Sequence, residues 1–542
     1  MRVEHRSSSP SLRRRAGSIL TTAVLATFMS ACGAAGEPAG AGSGAASYDD
    51  NASIVVAGTL IGADMDPYKA GGQVQAIIDV YDTLIRPKAD FGLAPGLATE
   101  WAWTPDNLKL TLTLRKGVTF SDGTPFDSSA VVSSLNRARS GETSQQKATL
   151  ASITDVAADG PDKAVITVKQ PSPALVSVLS SAAGMVINPK LVGDDTAIRT
   201  GTGALGTGPY TMDRFQASTQ IVLKKRPDYW DAAANPHAPA SFTYINSADG
   251  NARLNGLKSG QYQAVQSTGT PGLSGPGGLP QVNKDFRTIA IPAFSTTGIA
   301  FSFVTPFDKP LVRQAVAHAI DFQGLGPVLA NQLNCNETRP VQLPMQGQIG
   351  YNPDAKALPY DLNLAKQLLA QAGYPDGTGL PPLTIAANQG TQDTIAATAF
   401  QAELAKIGIR MAINPQPSRV YEVALLTSGK AQLATLNLTT GAGNDPSLGY
   451  NTAILANPQF VDDSPAGQQY KSLIARAATE PDTSARTQLY AQAESIAARE
   501  AFYIPFCRFN NGYAATAKLG GFDGDYWLRY GAMKVSTVTV AR

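Results

Sequence analysis

The chain has 542 residues, and its 44 Lys and Arg residues nearly balance its 42 Asp and Glu residues. Five of the basic residues and one acidic residue lie in the first 31 positions, which leaves 39 basic against 41 acidic residues, a net charge near −2. This balance excludes the basic footprint of a protein that binds nucleic acid or anionic lipid. The length exceeds what one core usually supports, so we expect two or three domains.

The N-terminal segment has the pattern of a secretory signal. Five arginines, including Arg13 and Arg14, precede an uncharged stretch over residues 16–31. That stretch is shorter than the roughly 20 apolar residues a membrane-spanning helix needs. Residues 1–31 are therefore predicted to be a signal peptide that directs the chain out of the cytoplasm. The Arg13-Arg14 pair leaves both the general and the twin-arginine export routes open.

A cysteine ends this segment, in the sequence Met29-Ser30-Ala31-Cys32-Gly33. The pattern resembles the bacterial lipobox, which usually has Leu where Met29 stands. The resemblance implies cleavage before Cys32 and attachment of lipid to it, which would anchor the chain to the outer face of the cell membrane. A plain signal with a chance cysteine is the alternative. Residues 32–50 are rich in Gly, Ala and Ser and predict a flexible tether.

Two cysteines remain in the body, Cys335 and Cys507. In an oxidising compartment they could form a disulfide. The sequence cannot show whether their Cα atoms come close enough, so a bonded and a free pair both stay open.

The body reads as mixed α and β structure without internal repeats. Strict alternation over Leu108–Leu114 predicts a half-buried strand. A helix is expected over Ser128–Arg139, capped by Asp127 or Ser128, and another over Asp361–Ala372. A strand, a helix and a strand in series near residues 383–413 predict a parallel βαβ unit. Further helices are expected over Gln73–Leu84, Leu311–Ile320 and Ala485–Arg499, and further strands over Ile54–Leu60, Ala164–Val168, Tyr210–Phe215, Ile299–Phe303 and Phe502–Phe506.

Signals for catalysis are weak. Residues 201–206 spell GxGxxG, but no strand precedes them and no helix follows, as a dinucleotide site requires. Phosphate-loop and GxSxG motifs are absent, and the two body histidines, His237 and His318, lie far apart. Acidic pairs such as Asp194-Asp195 are expected in solvated loops. No catalytic residue, metal or cofactor is therefore predicted, although a cell-envelope enzyme built from distant residues stays as the alternative.

Several segments, in order, resemble the extracellular solute-binding proteins of family 5, the receptors of peptide, nickel and related ABC importers. The most specific is the stretch from Leu112 to Phe126, LTLRKGVTFSDGTPF. The other segments are Asp64–Pro67, Val80–Leu84, Leu93–Ala98 with Trp101, Gly206–Tyr210, Val312–Asp321, Ala365–Gly377 and Tyr503–Pro505.

The resemblance implies an α/β fold of the two-lobed periplasmic-binding-protein type, type II class C. The first lobe is expected over residues 51–292, with an inserted subdomain at about 77–200. The second lobe follows over 293–504, and residues 505–542 return to the first lobe. Such a protein would act as a monomer, enclose a solute by hinge closure and deliver it to the membrane subunits of an ABC importer.

The ligand is less clear from the sequence. Peptide-binding relatives usually carry Trp-x-x-Asp in the second lobe, where the Asp binds the ligand's ammonium group. Aligned on Pro446, those positions are Thr439 and Ala442, so the anchor is missing unless Asp445 replaces it. A peptide or peptide-like solute is the first expectation, and an uncharged, sugar-like or metal-chelate solute is the alternative.

Eight residues are predicted to line the ligand cleft. They come from the first lobe, from the crossing between lobes and from the second lobe, and each could instead be an ordinary loop residue: Tyr68, Gly71, Gly72, Phe294, Ser295, Thr440, Asn444 and Asp445. Trp101 and Trp103 are expected in the core.

Overall fold

A computed structural model of the chain describes residues 47–59, 64–69, 74–88, 90–203, 205–266, 273, 279, 283–332, 335–389, 392–417, 419–439, 445–450, 461–521 and 533–542. Within these residues no helix is both long enough and apolar enough to cross a membrane.

The strands fall along the whole described chain. They are β1 (Ser53–Gly58), β2 (Ile85–Pro87), β3 (Leu93–Pro95), β4 (Ala98–Trp103), β5 (Lys109–Leu114), β6 (Ile153–Ala158), β7 (Lys163–Val168), β8 (Tyr210–Gln216), β9 (Gln220–Lys225), β10 (Ser241–Asn246), β11 (Ala264–Gln266), β12 (Phe286–Phe301), β13 (Cys335–Thr338), β14 (Leu383–Asn388), β15 (Met411–Gln416), β16 (Leu433–Thr439), β17 (Tyr503–Thr516), β18 (Leu519–Gly520) and β19 (Thr539–Val540).

The α-helices concentrate in the second half of the chain. They are α1 (Val74–Val80), α2 (Ser128–Ser140), α3 (Leu175–Val178), α4 (Asp195–Thr200), α5 (Gly250–Lys258), α6 (Pro310–Ala319), α7 (Gly326–Gln332), α8 (Leu362–Gln371), α9 (Gln392–Ala405), α10 (Arg419–Thr427), α11 (Ser447–Gly449), α12 (Pro465–Thr479) and α13 (Thr483–Glu500).

Two long strands, β12 and β17, join the two halves of the fold. Among the described strands the path runs β15-β14-β16-β12-β17-β11-β1-β10-β9-β8, with β13 paired to β17. At one end β17 pairs with β11, and at the other end β12 pairs with β16. The chain therefore crosses from one group of strands to the other along β12 and returns along β17.

The buried apolar residues separate in the same way. The largest cluster draws on residues 54–289 and 513–538. Two others draw only on residues 299–507 and 300–503. Each side of the crossing strands thus has its own core, which gives two lobes. The exact boundaries at residues 292 and 504 remain predictions.

The first lobe carries a separate sheet of four strands, in the order β4-β5-β7-β6. Leu110, Leu112 and Leu114 are buried on one face of β5, which confirms the half-buried strand predicted from alternation. Helix α2 follows, and the Asp127 side chain accepts hydrogen bonds from the backbone N–H groups of Ser129 and Ala130 at its first turn.

The predicted βαβ unit is confirmed. Strands β14 and β15 are parallel, with Leu383 opposite Met411, and α9 joins them. Helix α8 begins at Leu362, one residue after the predicted start, because Asp361 caps it by accepting the N–H of Leu364.

Two local predictions need correction. The helix expected to reach Leu84 ends at Val80, because the Val80 carbonyl accepts the N–H of Gly208 instead of continuing the helix. The Asp194-Asp195 pair is solvent-exposed as expected, but it lies at the start of a helix and not in a loop. Asp194 caps α4 by accepting the N–H of Ala197, and Asp195 pairs with a helix α2 arginine at 2.6 Å.

The ends of the described body lie side by side. The N–H of Arg542 donates to the carbonyl of Ser47 at 3.1 Å, and Tyr48 pairs with Ala541 in an antiparallel bridge. Residues on both sides of this contact belong to the first lobe.

Candidate functional site

The pairing of the crossing strands is interrupted at two points, a larger shift between Pro292 and Thr296 and a smaller one between Thr297 and Gly298. Pro292 on β12 lies opposite Asn510 on β17, but Thr296 lies opposite Arg508, so the register shifts between the two pairs. Three residues of β12 between these pairs thus oppose one residue of β17, an irregularity that interrupts the ladder. A two-stranded connection with an interrupted ladder is a candidate hinge between the two lobes, and this point is called the hinge below.

A disulfide lies beside this point. Cys335 on β13 bonds to Cys507 on β17, with their Cα atoms 5.3 Å apart. The pairing that the sequence left open is therefore formed in the structure. It ties a short edge strand to the crossing strand next to the register shift.

Arg508 makes several bonds on the second-lobe side of the hinge. It is 3% exposed, its Nε lies 2.8 Å from a Glu337 carboxylate oxygen, and its Nη2 donates to the carbonyls of Gln342 and Pro344. Burial lowers the pKa of Arg508, although the nearby carboxylates oppose that shift. Together these contacts fix the segment after β13 against the crossing strand.

A buried carboxylate, Glu494 on α13, connects three further segments. It accepts hydrogen bonds from the hydroxyl of Tyr450 at 2.6 Å, from the hydroxyl of Tyr503 at 2.8 Å and from the N–H of Leu343 at 2.8 Å. Burial raises the pKa of Glu494, and the three donors counteract part of that shift. Glu494 thus joins the crossing strand to the segment that begins at Asp445.

Asp445 is one of the predicted ligand residues. In the structure its side chain is 2% exposed and lies 3.2 Å from the Nε of Arg486. Its other carboxylate oxygen accepts the N–H of Ser447 at 2.9 Å. Its charge is therefore balanced within the second lobe, by an arginine one turn into α13.

A cavity of about 200 Å³ lies where α13 begins. One wall comes from the four-stranded sheet of the first lobe and its following loop, and the other comes from the first turn of α13. The lining residues are Trp103, Asn107, Pro171, Ser172, Pro173, Pro481, Thr483 and Arg486. Trp103 was expected in the core. It is half-buried, packs against the apolar core of the first lobe and also faces this cavity.

Tyr68 is enclosed within the first lobe. It is 1% exposed, and its hydroxyl donates to the carbonyl of Met185 at 2.7 Å. Its N–H donates to Asp66, which pairs with Arg137 at 2.6 Å. The hydroxyl and backbone of this predicted ligand residue are therefore already bonded to protein.

The other predicted ligand residues lie on crossing strand β12 or outside the described residues. Ser295 pairs with Thr439 through the backbone of β12 and β16, and Phe294 precedes it in the same strand. Gly71, Gly72, Thr440 and Asn444 lie outside the described residues. The cleft assignment of all these residues stays a prediction.

Residues 92–457 match the family described as bacterial extracellular solute-binding proteins, family 5 Middle. The chain belongs to this family. Family-5 proteins are extracytoplasmic, bind peptide-like solutes and deliver them to ABC importer membrane subunits.

Two similar curated proteins carry the name glutathione-binding protein GsiB. The one from Escherichia coli strain K12 is 27% identical over 471 residues, and the one from Salmonella paratyphi A is 27% identical over 462. Each match covers 81% of this chain and 86% of the relative.

Solved structures of family-5-like proteins share the fold. NikA from Brucella suis, in complex with Fe(III)-EDTA, has a TM-score of 0.79 at 22% identity and covers 90% of this chain and 100% of its own. DppA from Helicobacter pylori, in complex with the peptide STSA, has a TM-score of 0.71 at 22% identity and covers 91% and 98%. These likenesses agree with the two-lobed fold.

Sequence reasoning missed two buried charged residues, Arg486 and Glu494, that contact the segment from Asp445 to Tyr450. Arg486 and Glu494 lie eight positions apart on α13, with Tyr490 midway, so all three fall near one face of the helix. A cation, an aromatic residue and an anion at that spacing, in a helix rich in alanine, could have indicated a polar contact on one buried helix face. No group of three His, Cys, Asp or Glu side chains suited to a metal ion occurs in the described part of the chain.

Proposed function

We propose that this family-5 protein is the lipid-anchored receptor of an ABC importer and captures a peptide-like solute between its two lobes. The observation that carries the proposal is the two-strand connection, with its register shift between Pro292 and Thr296, joining two lobes that each have their own core. A ligand that contacts both lobes favours the closed form by its greater affinity for it.

The proposed cleft uses the backbone near Gly71 and Gly72, the crossing at Phe294 and Ser295, and the second-lobe segment with Thr440 and Asn444. The two remaining predicted residues, Tyr68 and Asp445, already have protein partners. We propose that these two shape the cleft walls rather than binding ligand through their charged or hydroxyl groups.

The charge balance favours a ligand without a free ammonium group at the position peptide relatives use. Ala442 stands where those relatives carry Asp, and the nearby Asp445 carboxylate is neutralised by Arg486. A buried ammonium without a paired carboxylate would be costly. A blocked or modified peptide therefore suits the site better than a simple free peptide.

A thermal-shift screen of residues 47–542 tests this. The panel is trialanine, N-acetyl-trialanine, glutathione, a Ni(II)–histidine chelate and maltose. A ligand at 100 times its Kd stabilises the folded state by about 2.7 kcal/mol, which raises the melting temperature. We expect a peptide-like compound to give the largest shift without being consumed, as followed by mass spectrometry. Conversion of any compound to product would support the enzyme alternative instead.

A metal-chelate or sugar-like solute is the second candidate. NikA from Brucella suis, which shares this fold, is complexed with Fe(III)-EDTA. A shift with the Ni(II)–histidine chelate, and none with the free metal or free histidine, would favour a chelate receptor. A shift with maltose alone would favour a sugar receptor.

Anchoring is tested on the full chain expressed in a bacterial host. We expect the wild type in the membrane fraction, with a lipid mass on Cys32, and Cys32→Ala in the extracytoplasmic soluble fraction. A mature N-terminus other than Cys32 would contradict the anchor. Size-exclusion chromatography with light scattering tests the expected monomer.

A further inference from the structure

Helix α13 contacts both ends of one short segment of the second lobe. The segment, Asp445–Tyr450, directly follows the proposed ligand residue Asn444 and is called the ligand-loop end here. Its first residue, Asp445, lies 3.2 Å from Arg486. Its last residue, Tyr450, donates to Glu494 at 2.6 Å.

Aromatic rings also pack between α13 and the ligand-loop end. The rings of Tyr450 and Tyr490 stack, with their centroids 5.2 Å apart and their planes 18° from parallel. Tyr490 lies midway between Arg486 and Glu494 on α13, so one helix face carries all three contacts. A helix backbone is stiff, and it fixes the distance between the two ends of the segment.

The same carboxylate continues to the hinge. Glu494 also accepts from the hydroxyl of Tyr503, the first residue of crossing strand β17. The Glu494 side chain is buried, so each donor that it loses removes a hydrogen bond that bulk water does not replace. Removing one contact therefore weakens a network in which the loop end and the hinge strand share a single acceptor group.

We propose that Arg486 and Glu494 are positioning residues that fix the ligand-loop end relative to the hinge strand. The inference rests on the proposed function, in which the neighbouring residues contact ligand. It deepens that function by naming the groups through which a ligand bound to the second lobe would act on the hinge strand. A buried ion pair and a buried carboxylate contribute little net stability, so a geometric role accounts for them better than a stabilising one.

Hydrogen exchange of residues 47–542, measured without ligand, tests the positioning role. The variants are Tyr450→Phe, Tyr503→Phe and Glu494→Gln. The matched control is Tyr210→Phe, which deletes an equally buried hydroxyl that donates to Pro239 in the first lobe. We expect Tyr450→Phe to speed exchange over residues 445–450 at least fivefold, Tyr503→Phe to do so over 503–508, and Glu494→Gln to do both. Tyr210→Phe should change neither by more than twofold.

Faster exchange across the whole second lobe, including β14 and β15, would mean that these residues only stabilise the lobe, and the proposal would fail. Unchanged exchange over 445–450 in Tyr450→Phe would also overturn it. Tyr450→Phe therefore decides the test even when Glu494→Gln does not fold.

A binding measurement with glutathione and N-acetyl-trialanine completes the test. Where a probe binds the wild type, Tyr450→Phe should weaken it at least threefold while Tyr210→Phe leaves it unchanged. If both variants bind as the wild type does, the loop end is not positioned for ligand and the inference fails. If neither probe binds the wild type, the peptide-like ligand of the proposed function is lost, while the exchange result still decides the positioning role.

Discussion

The Nε of Arg486 lies 3.2 Å from a carboxylate oxygen of Asp445, and both side chains are almost wholly buried. Neither charge has an alternative partner of opposite sign among the described ion pairs. Breaking a buried pair by removing one member leaves the other charge desolvated and uncompensated.

Arg486→Met should therefore lower the free energy of unfolding by about 3–5 kcal/mol. Urea denaturation of residues 47–542 measures the change. The control is Arg476→Gln on neighbouring α12, an exposed arginine whose loss should cost no more than about 0.5 kcal/mol. Equal effects of the two substitutions would show that the buried pair is energetically neutral.

Reduction of the disulfide should destabilise the protein. The bond between Cys335 and Cys507 closes a loop with a sequence separation of 172 residues, which restricts the unfolded chain. Cys335→Ala combined with Cys507→Ala should lower the free energy of unfolding by about 2–5 kcal/mol. Thiol counting on the denatured wild type should find no free thiol in residues 47–542. Two free thiols there would contradict the bond.

Gly208→Ala should destabilise the first lobe through a backbone clash. A Cβ at this position would lie 2.6 Å from the carbonyl oxygens of Asp79 and Val80, at the end of α1. We expect a loss of about 1–3 kcal/mol, as for other overpacked sites. Gly193→Ala, where a Cβ meets nothing within 4 Å, is the control and should stay within about 0.5 kcal/mol of the wild type. A tolerated Gly208→Ala would mean that α1 can shift.

Asp79 should make stability depend on pH. Burial raises its pKa to about 6, although its carboxylate accepts the N–H groups of Val535 and Ser536. The folded state therefore binds this proton more readily than the unfolded state, whose Asp pKa is near 3.8. The stability from this group is fully present below pH 3.8 and is lost as the pH rises through 6.

Comparison of the wild type with Asp79→Asn isolates that contribution. The free energy of unfolding of the wild type minus that of Asp79→Asn should fall by about 2 kcal/mol as the pH rises from 4 to 6. A constant difference over this interval would show that Asp79 titrates near its ordinary pKa, and a rising difference would show that its pKa is lowered in the folded state.

Local structure was predictable where one physical pattern dominated. The alternation in β5, the Asp cap of α2, and the βαβ order of β14, α9 and β15 depend on neighbours in sequence. The end of α1 was not predictable, because it depends on Gly208, far along the chain.

The candidate site was harder to predict for the same reason. The partners of Asp445 and Tyr450 come from α13, about 40 residues later in the sequence. Asp445 looked like a free ligand anchor because nothing local shows that an arginine neutralises it. The pairing of Cys335 with Cys507 likewise depends on strands that meet only in three dimensions.

The contact between Ser47 and Arg542 has a mechanical consequence. Because both ends of the folded body meet on the first lobe, a tether attached before Ser47 would load that lobe alone. Under the proposed anchor and hinge, the first lobe would be held at the membrane, and the second lobe would move on strands β12 and β17. A fluorophore at position 542 would report from the first lobe, and one on α12 would report the movement of the second.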